Sequence, residues 1–187
     1  MGLFRLFARM TIGLLFVGHG TQKLFGWFGG GGPEGTGRFF DQAGVRPGRR
    51  NAVLAGAAEA GGGLLFGLGA ATPIGAAAIS GSMITAIRKV HWERGIWSTS
   101  GGYEYNLVLL AAVFGLTENG PGELSVDGAL GRPRWGTGWA LAALAAAASA
   151  SAAVVAAAEH EGAQPATDAA DAQAEQNADA AAVSSSL

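Results

Sequence analysis

The sequence has no cysteine, only three histidines and few charged residues, and each shortage excludes a class of function. Without cysteine the chain cannot form disulfides, thiolate nucleophiles, or Cys-ligated zinc or iron–sulfur sites. Three histidines are too few for a His-rich metal cage, so we predict no metal site. The net charge of −2 provides no basic field, so nucleic acid is not an expected partner.

The scarcity of charge points to a membrane protein. Charged residues make up 14% of the chain, against roughly 25% in an ordinary soluble domain. The mean hydropathy is +0.28, although the last thirty or so residues are polar. The length of 187 residues corresponds to about one domain.

Apolar segments of about 20 residues are the signature of helices that cross a bilayer. Four such segments lie at residues 7–28, 52–70, 72–90 and 103–116. A fifth, at 139–158, is uncharged but contains thirteen alanines, so it either spans the membrane or lies on its surface. We therefore predict an all-α integral membrane four-helix bundle (1–130), a linker with an additional Ala-rich C-terminal hydrophobic helix (131–158), and a disordered acidic tail (159–187).

The connections between these segments differ in character. Residues 29–50 are interpreted as a long loop, and the GGGGPEGTG run within it as a flexible connector, because it lacks the Lys-Ser/Thr ending of a phosphate loop. The link at 69–73 is short and predicts an antiparallel hairpin. Seven Lys and Arg residues lie on one side of the bundle and four on the other, but the basic N-terminus leaves orientation open. Five tryptophans near segment ends predict an interfacial belt: Trp27, Trp92, Trp97, Trp135 and Trp139.

Ionisable residues in or beside the apolar segments are the candidate functional groups, because a charge in hydrocarbon costs about 2.5–3.5 kcal/mol on insertion scales. On segment one, the three basic residues share one face of about 80°. We predict that this face meets the glutamate of segment two inside the bundle. The candidate intramembrane polar cluster is Arg9, His19, Lys23, Glu59 and Glu104.

Three interpretations of this cluster stay open. It is a structural ion pair that fixes helix register, or a polar pocket for a quinone, a proton or a small anion, or a set of long side chains reaching the interface without partners. His91 is expected to be a solvated loop residue at the membrane edge, and His160 begins the tail. A single intramembrane histidine does not favour bound haem.

The order and spacing of these residues resemble those of the DoxX family of small bacterial and archaeal membrane proteins. The resemblance covers about residues 4–130 and leaves out the Ala-rich helix and the tail. It rests on Arg9, Gly13, His19, Gly20, Lys23, Leu24, Gly26, Gly37, Phe40, Gly44, Glu59, Gly62 or Gly63, Met83, Glu104, Tyr105, Gly120, Pro121, Gly122, Ser125 and Asp127.

This resemblance implies a multi-pass four-helix bundle in the cell membrane and a link to membrane oxidoreductases. Because no redox motif is visible, the chain is not expected to be a self-sufficient enzyme, and we expect an accessory or quinone-contacting subunit with an oxidoreductase partner. Lys23, His19 or Arg9 would donate hydrogen bonds to a quinone carbonyl, and Glu59 would relay protons. The alternatives are a non-catalytic membrane scaffold and a small-solute permeability protein. Membrane lipid is an expected partner, and self-association is left open.

Overall fold

The computed structural model describes the backbone of residues 2–185 and the side chains of residues 2–161, and all regular secondary structure in this range is helical. No strand occurs in this range, and the predicted all-α class is confirmed. The helices are α1 (Gly2–Phe25), α2 (Gly32–Gln42), α3 (Gly48–Leu68), α4 (Thr72–Ala86), α5 (Glu104–Asn119), α6 (Val126–Ala129) and α7 (Thr137–Ser185).

Helices of membrane-spanning length and composition confirm a multi-pass membrane protein. Among the described residues, three segments are long and apolar enough to cross a bilayer: Gly2–Phe25, Gly48–Leu68 and Thr137–Glu161. The predicted segments three and four are shorter, because α4 has 15 residues before it passes into a π-helical turn and α5 has 16. The connection between α3 and α4 is short, as the sequence predicts.

Glycines bring α1 and α3 into backbone contact. A Cβ atom added to Gly20 would lie 2.6 Å from the carbonyl oxygen of Gly56, and one added to Gly13 would lie 2.6 Å from that of Gly63. Small residues at four-residue spacing allow this approach because no side chain keeps the two backbones apart. The contact sets the register of α1 against α3, and that register positions Lys23 opposite Glu59.

The C-terminal helix α7 packs against α4 and α5. Its Ala143 belongs to the same buried cluster as Phe66, Ile79 and Val113. The Ala-rich segment therefore joins the bundle as a candidate membrane helix, and the surface-helix alternative is not favoured.

The outer surface of the bundle is apolar. Leu14, Ile74, Val108 and Leu141 are all more than half exposed, which a water-soluble protein of this size would avoid over so wide an area. Four of the five tryptophans are exposed as well, namely Trp27, Trp92, Trp97 and Trp139. They lie at or beyond helix ends, where the sequence predicts an interfacial belt.

The prediction of a long loop at residues 29–50 is wrong. Helix α2 occupies much of this stretch, and the glycine run is not a flexible connector, because the helix begins inside it. Pro33 in the first turn has the φ angle that a helix needs, and Glu34 in the same turn complements the helix dipole. These start signals outweigh the low helix propensity of glycine.

The structure describes the acidic segment at 159–187 only in part. The helical backbone of α7 runs as far as Ser185, but the side chains after Glu161 lie outside the described residues. The predicted disorder of this tail is therefore not tested.

Candidate functional site

Lys23 and Glu59 form the central ion pair of the bundle. Lys23 lies in the last turns of α1 and Glu59 near the middle of α3, and Lys23 Nζ lies 2.5 Å from Glu59 Oε2. The Glu59 side chain is 6% exposed and that of Lys23 is 20% exposed. The predicted contact between segments one and two is present, and the Lys23 side chain stays partly accessible to solvent.

A large cavity lies beside this pair. Its volume is about 720 Å³, within the range of roughly 300–1,000 Å³ for small-ligand pockets. Six helices contribute to its mainly apolar wall, for example through Phe16, Phe40, Leu54, Met83, Leu109 and Val154. Lys23 and Glu59 both line this cavity, so its mainly apolar wall includes a partly buried charged pair.

A few further polar groups line the same cavity. His19 Nδ1 lies 3.1 Å from Gln22 Oε1. His91 Nδ1 lies 2.7 Å from the carbonyl oxygen of Gly101, so His91 is a half-buried wall residue and its interpretation as a solvated loop residue is wrong. Asn106, 7% exposed, donates to Met83 Sδ over 3.2 Å. Asn106 was not among the predicted site residues, although a polar amide inside an apolar segment is a signal that the sequence contains.

Arg9 is not part of the cluster around Glu59. It is 3% exposed and donates to the carbonyl oxygens of Gly67 and Leu124. The last carbonyls of a helix lack partners within it, and Arg9 satisfies one of these at the end of α3. Arg9 and Lys23 share a face of α1, but a rise of 1.5 Å per residue separates them by about 21 Å along the helix.

Glu104 is also separate from the Lys23–Glu59 pair. Its Oε2 accepts a hydrogen bond from the backbone N–H of Ser98 over 2.9 Å. This contact is exposed and ties the start of α5 to the preceding loop. The structure therefore divides the five predicted residues among three places, and only His19, Lys23 and Glu59 line the cavity together.

Asp127 is a buried carboxylate that the sequence analysis did not place among the candidate site residues. It is 4% exposed and accepts hydrogen bonds from the N–H groups of Ala71 and Thr72, the Thr72 hydroxyl and Trp135 Nε1, over 2.7–3.0 Å. Burial by itself would raise the pKa of Asp127, but these hydrogen bonds outweigh burial and lower it. Asp127 thus holds the start of α4 against α6.

Replacing Asp127 with asparagine is expected to destabilise the protein by about 2 kcal/mol at neutral pH, because bonds to a charged acceptor become weaker or are lost. A lowered pKa in the folded state stabilises the protein above the ordinary carboxyl value of about 3.9, and this contribution disappears as pH falls below it. The difference in unfolding midpoint between wild type and Asp127→Asn should therefore shrink from pH 5 towards pH 2.

Glu123→Gln is the matched control, because Glu123 is an exposed carboxylate just before α6. It should leave the unfolding midpoint unchanged at neutral pH. A difference between wild type and Asp127→Asn that stayed constant down to pH 2 would contradict the role given to the charge of Asp127.

The arrangement suits binding of a lipid-soluble molecule better than metal chemistry. Within the residues that the structure describes, no group of three or more His, Asp or Glu is placed to hold a metal ion. The cavity instead offers a large apolar volume and one paired ammonium that can donate a hydrogen bond. Such a site can orient a ligand with one polar end and an apolar body.

Comparison with known proteins gives one family match, over part of the chain. No curated protein and no solved structure matches the chain. The family model described as DoxX matches residues 4–92, a shorter stretch than the expected 4–130, so α5, Asp127 and α7 lie outside it. The match includes α1, α3 and α4 and therefore both members of the Lys23–Glu59 pair. Through residues 4–92 the chain matches the DoxX family.

Proposed function

We propose that this protein is a quinone-contacting accessory subunit of an oxidoreductase system in the cell membrane. The observation that carries the proposal is the position of Lys23 and Glu59 on the wall of an apolar cavity of about 720 Å³. Buried charges in a membrane bundle are costly and usually mark a pathway or binding site. Here the charged pair lies on the wall of a cavity that is large enough for a quinone ring.

The charge balance of the pair favours a neutral polar end on the ligand. Lys23 is already neutralised by Glu59 at 2.5 Å, so a carboxylate or phosphate brought to this wall would face an acidic oxygen as well as the ammonium. A ring carbonyl has no charge to be repelled and accepts a hydrogen bond from an ammonium. Quinones combine such carbonyls with an apolar body, and they dissolve in the membrane that this bundle occupies.

A partner subunit is part of the proposal, because the chain has no cysteine with which to bind an iron–sulfur cluster or to exchange thiols. The electron donor or acceptor would be supplied by that partner. The contribution of this chain would be to bind the quinone and hold its ring beside the Lys23–Glu59 pair.

The alternative function is a membrane scaffold in which the ion pair only fixes helix register. The short contact between Lys23 and Glu59 favours it, since each charge already has its partner. The two functions differ in whether the cavity takes a ligand. A scaffold requires the Lys23–Glu59 ion pair but no ligand in the cavity.

Protection of an introduced cysteine tests whether quinone enters the cavity. Because the chain has no native cysteine, Ala58→Cys creates a single thiol on the cavity wall next to Glu59. We expect a fully substituted ubiquinone with one isoprene unit to slow the labelling of this thiol by a small membrane-permeant maleimide. Ninety per cent occupancy at saturating quinone would reduce the rate about ten-fold.

Ala57→Cys is the matched control. Ala57 adjoins Ala58 but is exposed on the outside of α3 and does not line the cavity. Its labelling rate should not respond to quinone. Equal rates for Ala58→Cys with and without quinone would contradict the proposed function and favour the scaffold.

A further inference from the structure

Helix α7 supplies part of the cavity wall although it lies outside the region that matches the family model. Ala150, Ser151 and Val154 all line the cavity. The pair that would hold the polar end lies on α1 and α3, whereas α7 packs against α4 and α5. The α7 residues therefore form a wall separate from the one that contains the ion pair.

Two polar contacts fix this wall in place. Ser151 is 1% exposed, and its Oγ shares a hydrogen bond of 3.0 Å with the hydroxyl of Thr85 on α4. Further along α7, Glu161 Oε1 lies 3.2 Å from Arg50 Nη1 at the start of α3. A hydroxyl pair inside an apolar interface favours one rotation of the helix, because turning α7 would take Ser151 Oγ away from the Thr85 hydroxyl. Ala150 and Val154 are thus held facing the cavity.

We infer that α7 sets the size limit of the ligand, with Ala150 and Val154 as the specificity-determining residues for the apolar tail of a quinone. This inference rests on the proposed function of the cavity. The wall consists of small side chains, so the space before it stays open, and a larger side chain there would project into volume that a tail would occupy. The ion pair binds the quinone ring, and the side chains of α7 limit the size of the tail that fits beside it.

Substitutions at an α7 residue that lines the cavity and at one that does not test this inference in the full chain, reconstituted in lipid nanodiscs with empty nanodiscs as the blank. The probes are two ubiquinone analogues, one with a single isoprene unit and one with a ten-carbon tail. Ala150→Phe should weaken binding of the long-tailed analogue by at least about ten-fold and affect the short one less. Ala153→Phe is the matched control, because Ala153 is exposed and does not line the cavity.

The outcomes separate the two proposals. If wild type binds both analogues and Ala150→Phe behaves like Ala153→Phe, the role of α7 is overturned while the quinone site stands. If wild type binds neither analogue above the blank, both proposals are overturned. Should Ala150→Phe fail to fold, Val154→Ala decides: it widens the cavity and should tighten binding of the long-tailed analogue by a few-fold, and no gain would overturn the inference.

Discussion

Replacing Lys23 with methionine is expected to lower the free energy of unfolding by about 3–5 kcal/mol, because it leaves the Glu59 carboxylate buried without its partner. Glu59 is held within the bundle at 6% side-chain exposure, so little of its carboxylate reaches solvent. The measurement is reversible unfolding in mixed detergent micelles, with helix content followed by circular dichroism.

The double variant Lys23→Met, Glu59→Met should recover most of the lost stability, since replacing a whole buried pair with apolar residues is often neutral or stabilising. The exposed Arg49–Glu34 pair, 3.0 Å apart, is the matched control, and Arg49→Met should leave unfolding unchanged. A Lys23→Met protein as stable as wild type would show that Glu59 is not confined with Lys23 as described.

The second large effect is expected at the contact between α1 and α3. Gly20→Ala should cost about 3 kcal/mol, at the upper end of the usual range for overpacking, because the new methyl group would meet the backbone of α3, which cannot move aside as a side chain can. Its nearest neighbours include the carbonyl oxygen of Gly56 at 2.6 Å. Forcing the helices apart would also separate Lys23 from Glu59, so ligand binding should weaken with stability.

Gly18→Ala provides the control on the same helix. A Cβ atom there would meet no heavy atom within 4 Å, and alanine is the better helix former by up to about 1 kcal/mol. Gly18→Ala should therefore be neutral or slightly stabilising. Equal unfolding curves for Gly18→Ala and Gly20→Ala would contradict the described packing of α1 on α3.

The pairing of Lys23 with Glu59 was predictable because an intramembrane charge needs a partner and the small residues beside Glu59 allow close approach. Arg9 was assigned to the same cluster because the helical-wheel argument considers angle and ignores the rise along the axis. Its acceptors are carbonyl oxygens of Gly67 and Leu124. Backbone acceptors leave no trace in residue type, so sequence could not identify them.

The cavity and its α7 wall were beyond sequence reasoning for a different reason. A cavity is volume left between helices, and it depends on how six of them are arranged, whereas periodicity describes one helix at a time. The Ala-rich segment showed that a helix could form, but the partner of Ser151 becomes visible only when Thr85 faces it. Helix α2 was missed as well, because its many glycines have low helix propensity, although Pro33 is a typical residue for the first turn of a helix.

The affinity of the Lys23→Met, Glu59→Met variant for the short-tailed ubiquinone tests the central claim most directly. This variant removes both charges from the cavity wall and is expected to stay folded, so a change in affinity reports on binding and not on unfolding. We predict at least about ten-fold weaker binding, with wild-type affinity in an Arg49→Met, Glu34→Met control. Unchanged affinity in the folded Lys23→Met, Glu59→Met protein would show that the pair is structural and does not hold the ligand.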